Sequence, residues 1–189
     1  MNPYSLPELR AAILETHADF ESYLRALPLE VFLNPVQGTW SPWQHAQHVM
    51  MGEVGLSGAL EARKLKALEV PAASRPYEEL VTAYQTALAN TEILNNPLSP
   101  PPYAALDALE ATRAFALSEW RSSGEALSKA LERYSDAELD ALQGRHPLLG
   151  WLSLRELLMF MVYHVAHHQR ALEGRLAGSD PGERSTPTI

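Results

Sequence analysis

Three of the chain's seven histidines fall within five residues, in Tyr163-His164-Val165-Ala166-His167-His168. They stand near the end of an apolar-periodic run that reads as an α-helix, among Leu157, Leu158, Phe160, Met161, Val165 and Leu172. His164 and His168 are four apart, which sets them on one helical face about one turn apart, roughly 6 Å along the axis. Two imidazoles so placed can reach a single ion at about 2.0–2.1 Å per nitrogen. Two ligands do not hold a metal well, so a third must come from another segment. The obvious supplier is His48, in Trp40-Ser41-Pro42-Trp43-Gln44-His45-Ala46-Gln47-His48. Burying imidazoles among apolar neighbours without partners is costly. The pair therefore faces water, is satisfied by hydrogen bonds, or binds a metal, and spacing alone does not choose.

His45 and His167 are weaker candidates. His45 lies three residues before His48, and His167 is turned by about 100° from His168. A fourth ligand from either is less expected than a place facing solvent or supporting the ligands from behind. Glu53 and Tyr163 suit the same supporting places, though core packing or solvation explains them equally well. His17 and His146 show no partner pattern and are expected at the surface. Trp40, Trp43 and Trp151 read as core and cap packing rather than a ligand cage. Rival signatures are missing: the Glu-x-x-His pairs of di-iron bundles, His-Glu-x-x-His, the P-loop, Gly-x-Gly-x-x-Gly and the Gly-x-Ser-x-Gly elbow. Gly55-Leu56-Ser57-Gly58 only approaches the last of these, inside an expected helix.

The elements that must position these residues are helical. A first helix is expected from about Leu6 to Leu27, with Leu9, Ile13, Leu14, Phe20 and Leu24 as its apolar stripe. Pro28 and Asn34-Pro35-Val36-Gln37-Gly38 break it. Ser41-Pro42 opens a second helix, serine as N-cap and proline at the first helical position, running to about Leu68. A shorter helix spans about Tyr77 to Leu94, and Ser99-Pro100-Pro101-Pro102 is a stiff connector. A long helix follows from about Tyr103 to Tyr134. A polar loop holding Gly144 and His146-Pro147 comes next, with one extra turn expected over Asp136 to Leu142. Ser153-Leu154-Arg155-Glu156 is a capping box that starts the last helix, which ends near Leu176. No alternating strand pattern stands out. The fold class is all-α: an antiparallel four-helix bundle with one or two short extra helices, one domain over residues 1–178 and a disordered polar tail over 179–189.

Bulk composition narrows the function classes. At 189 residues and 46% hydrophobic, the chain can bury a sizeable core and is not a disordered polymer. A net charge of −8 without a basic block repels phosphate backbones, which argues against nucleic-acid binding. The lack of cysteine removes disulfides, thiolate metal sites and a cysteine nucleophile together. No secretory signal and no membrane-length apolar run is read, so a cytoplasmic protein is expected.

Trp40-Ser41-Pro42 followed by His48, and His164-x-x-His167-His168 on the last helix, together resemble the DinB-like superfamily, which includes the YfiT-type metal-dependent hydrolases. The likeness covers about residues 5 to 177. It implies a four-helix bundle with a central divalent-metal site, holding the ion by His48 from the second helix and by His164 and His168 from the last. It also implies a homodimer and, by likeness to members of known activity, a small-molecule substrate with a low-molecular-weight thiol as partner. Gln169-Arg170-Ala171 stands where Arg-Gly-Gln is frequent, a departure that bears on substrate contacts more than on the metal triad. Imidazole ligands suit several first-row ions, with Zn²⁺ or Ni²⁺ expected. Binding should weaken below about pH 6.5 as free imidazoles protonate. Two functions remain open: a metal-dependent thiol transferase or hydrolase, and a non-catalytic, stress-related binding bundle whose histidines are structural or vestigial.

Overall fold

The computed structural model describes residues 5–69, 73–90, 100 and 109–178. Its helices are α1 (Leu6–Ala26), α2 (Leu29–Phe32), α3 (Pro42–Glu61), α4 (Tyr77–Ala89), α5 (Leu109–Ala130), α6 (Asp136–Ala141) and α7 (Leu154–Leu176). Four of them start on the same device. Ser5, Ser41, Ser135 and Ser153 each accept a hydrogen bond from the backbone N–H three residues on, and Glu8, Gln44, Glu138 and Glu156 reach back to the cap backbone. Each box satisfies donors that a helix start leaves without intrahelical partners.

The four long helices, α1, α3, α5 and α7, form the bundle. α1 and α3 each pack against both α5 and α7, so they face each other across its diagonal. Cross-helix bonds give the directions. Arg10 bonds to Ser128 and Arg113 to the Leu27 carbonyl, so α1 and α5 run antiparallel. His45 meets His168 while Gly52 lies against Met161, so α3 and α7 are antiparallel too.

Two apolar clusters fill the interior. One is built around Leu9, Ile13, Leu60, Leu127, Leu131 and Leu158, the other around Phe20, Leu24, Trp43, Trp120, Val165 and Leu172. On α1, α3 and α5 the residues that fall between the two clusters are His17, Glu53 and Ser123. Polar groups thus divide the core into two ends.

Several expected boundaries move. α3 stops at Glu61, not near Leu68, because Arg63 takes a positive φ of 48° and the chain turns into a strand. The Asp136–Leu142 turn is present as α6. The expected polar loop after it is instead a sheet of three antiparallel strands, β1 (Lys66–Ala67), β2 (Leu142–His146) and β3 (Gly150–Ser153), in the order β1-β2-β3. Gln143 pairs with Ser153 and His146 with Gly150, whose φ of +72° suits the turn. These strands are short and mostly polar, so pairing and not alternation defines them; side-chain pattern carries no such signal. The expected helix end near Leu94, the helix start near Tyr103 and the tail over 179–189 lie outside the described residues, as does the proline connector apart from Pro100.

Of two tryptophans expected in core and cap packing, one departs from it. Trp43 is buried and stacks on Phe32 at 5.9 Å. Trp151 is half exposed on β3 instead, with the Lys66 ammonium 4.7 Å from its ring centre.

Candidate metal centre

The Ser41 cap fixes where α3 begins, and from there His45 and His48 fall about one turn apart on the face turned to α7. The Ser153 cap does the same for α7, placing His164 and His168 opposite them. All four imidazoles are buried, and together they form one cluster. The His48 ring centre is 5.0 Å from that of His164 and 4.9 Å from that of His168, while His164 and His168 are 4.6 Å apart. One ring nitrogen from each of His48, His164 and His168 lies within 4.8 Å of the others. Among the described residues this is the group of three or more donors with that geometry, and it contains no carboxylate. The three residues singled out from spacing are the three brought together.

The donor set fits a metal ion. His164 Nε2 and His168 Nε2 are 3.0 Å apart. Two nitrogens at about 2.0–2.1 Å from one ion in tetrahedral array lie about 3.4 Å from each other. The rings need open by only a few tenths of an ångström. Burial also disfavours protonation of His164 and His168. His164 is held well below the ordinary imidazole value, first by burial and then by the neighbouring His48. His168 is lowered likewise, first by burial and then by His164. The pH limit expected for free imidazoles near 6.5 therefore does not carry over to these two ligands.

The cluster has walls. Trp40, half-buried at the end of the α2–α3 connection, sets its indole 5.0 Å from the His48 ring and 6.3 Å from that of His168. Phe160 stacks on His164 at 4.9 Å. Trp40 is thus part of the site as well as of the helix entry, a role the Trp-Ser spacing does not reveal. His45 sits behind the ligands, its Nδ1 2.8 Å from His168 Nδ1. His167 is half-buried beside Tyr163, whose hydroxyl lies 3.5 Å from His167 Nδ1. Burial, with Arg170 next in effect, lowers His167 to about 4.

The two remaining histidines are corrections to the surface assignment. His17 is only 5% exposed and His146 only 7%. His146 Nδ1 accepts hydrogen bonds from the Leu148 and Leu149 N–H groups at 3.2 and 3.1 Å, closing the β2–β3 turn. Burial lowers it to about 4, so it serves there as a neutral acceptor. His17 Nε2 meets Glu53 Oε1 at 2.6 Å, and Ser123 Oγ donates to Glu53 Oε2 at 2.7 Å. Trp120 stacks on the His17 ring at 4.1 Å. Glu53 therefore bridges α1, α3 and α5; its partners are His17 and Ser123, not the ligand histidines. A signal for His17 was present, since it continues the Leu9, Ile13, Phe20, Leu24 stripe at helical spacing.

No helix among the described residues is long and apolar enough to cross a membrane. No curated protein and no solved structure gives a match to this chain. A sequence profile of the DinB superfamily matches residues 12–172, and the chain belongs to that superfamily.

Proposed function

From that membership and the buried imidazole cluster, we propose that this protein binds a divalent metal ion through His48, His164 and His168 and uses it as an enzyme. The observation that carries the reading is the make-up of the donor group: three imidazoles within 4.8 Å and no carboxylate. Neutral ligands leave a dication's charge uncompensated, which favours an anionic or acidic fourth ligand. Held by these three residues, an ion would leave positions open, and the chemistry it would supply there is a lowered pKa for a water or thiol. The substrate class that suits this is a small molecule, with a low-molecular-weight thiol as second substrate; hydrolysis is the alternative reaction of the same site. Zn²⁺ and Ni²⁺ both suit the imidazole set.

The chain's own residues do the rest. His48 arrives from α3 and His164 and His168 from α7, so the bundle itself sets the spacing. Trp40 and Phe160 shield the rings from water, which strengthens any charge interaction made there. The test is elemental analysis of tag-free protein, wild type beside His48→Ala and His168→Ala. Near-stoichiometric Zn or Ni, lost in both variants, is the expected result and leads to a screen with small thiols. A wild type that holds no metal and takes up none on titration refutes the proposal.

A further inference from the structure

The histidine cluster continues outward to a cation. Arg175 Nη1 lies 3.3 Å from His45 Nε2, at the last turn of α7. A guanidinium has donors and no acceptor. His45 Nε2 must therefore accept and is bare, which leaves the ring a single proton. That proton sits on Nδ1 and is donated to His168 Nδ1 at 2.8 Å. His168 then bears its own proton on Nε2 and donates it to His164 Nε2 at 3.0 Å. His164 is left with its proton on Nδ1, a buried atom with no partner among the described residues. One always-donating group thus orders three rings in a single direction.

That order suits one ligand and opposes the other. His164 already offers a bare Nε2. His168 Nε2, the nitrogen turned to the ion position, carries a proton and cannot bind. We infer that metal binding and the Arg175–His45 contact exclude each other, with His45 as the positioning residue that transmits one to the other. For His168 to ligate, its proton must pass from Nε2 to Nδ1, where it is donated back to His45 Nδ1. The His45 proton must then pass from Nδ1 to Nε2, where it opposes the Arg175 N–H. Each ring keeps one proton and none is released from this pair. Arg175 has to leave. By reciprocity, whatever draws Arg175 off His45 tightens the metal site. Partners behind metal-bound histidines fix their tautomers in this way and shift affinity by about 10–100-fold.

The inference rests on the metal-centre reading, and its test separates the two. Histidine ring tautomers of ¹⁵N-labelled wild type are read from long-range ¹H–¹⁵N correlations, metal-free and with one equivalent of Zn²⁺. Zn²⁺ affinity is measured by chelator competition for wild type, Arg175→Met and Arg175→Lys. The expected spectra show His45 protonated on Nδ1 without zinc and on Nε2 with it. Arg175→Met should bind zinc about tenfold more tightly, as expected for removal of one competing charged hydrogen bond. Arg175→Lys, which keeps a donor and the charge, should stay near wild type. If wild type takes up zinc but His45 keeps one tautomer throughout, the relay falls and the metal site stands. If wild type takes up no zinc, both fall.

Discussion

Gly124 decides whether α1 and α5 can close on a buried histidine. A Cβ built on it would stand 2.5 Å from His17 Nδ1, 2.7 Å from Cγ and 2.8 Å from Cε1. The ring cannot retreat cheaply. Glu53 holds its Nε2 at 2.6 Å and Trp120 covers its face at 4.1 Å. On helix propensity alone, Gly124→Ala should stabilise by about 1 kcal/mol. Overpacking a well-filled core costs about 1–3 kcal/mol. If the ring is pushed off Glu53, the carboxyl keeps only Ser123, and a buried polar group stripped of a partner costs about 1–3 kcal/mol more. The steric and polar costs together outweigh propensity, for a net loss of about 2–4 kcal/mol. Urea unfolding in the presence of a chelator, so that metal linkage does not contribute, measures it. The control is a double-mutant cycle with His17→Ala, in which the space for the new methyl exists and Gly124→Ala should recover its propensity gain. A single variant as stable as wild type, or a cycle with no coupling, would refute the reasoning.

The pH dependence of stability should carry the signature of His146. Its folded value is lowered to about 4 against about 6.5 unfolded, so the unfolded chain binds the extra proton between those limits. The contribution is fully present above pH 6.5 and is lost as pH falls toward 4; the urea midpoint should drop over that window and drop less in His146→Gln. At the start of α7, Ser153→Ala removes the acceptor for the Glu156 N–H. A loss of about 1 kcal/mol in urea unfolding is expected, the usual cost of a missing N-cap.

The convergence of His48, His164 and His168 was legible because helical spacing is local information. A spacing of four from His164 to His168 puts both on one face wherever the helix goes. A serine and proline ahead of His48 fix its phase in the same way. The two fixed phases meet because α3 and α7 pack antiparallel, which the apolar stripes imply. Of the misread residues, Glu53 and Arg175 depend on partners distant in sequence, and His146 on a turn that spacing does not show. Glu53 reads as a solvated or supporting carboxylate until α1 brings His17 across the diagonal from 36 residues away. His146 reads as a surface loop residue until the β2–β3 turn folds two N–H groups onto it. Arg175 reads as one more charge at a helix C-terminus, where a cation is favoured in any case. It becomes chemically significant only because His45, 130 residues earlier, faces it.

Buried polar groups in a bundle core need every partner in place, and an apolar core of the same volume is often as stable or more so. This protein retains two such groups of residues, and they differ in kind. In the His17–Glu53–Ser123 group both carboxylate oxygens are bonded and only His17 Nδ1 is left without a partner, so the group fixes how α1, α3 and α5 meet. In the histidine group from Arg175 to His164 the nitrogen His164 Nδ1 is likewise buried without a partner, but its ring stands with His48 and His168, one nitrogen from each within 4.8 Å of the others. Three converging nitrogens are what a bound ion would require, and they, not any single open atom, carry the proposal that α7 joins fold and chemistry.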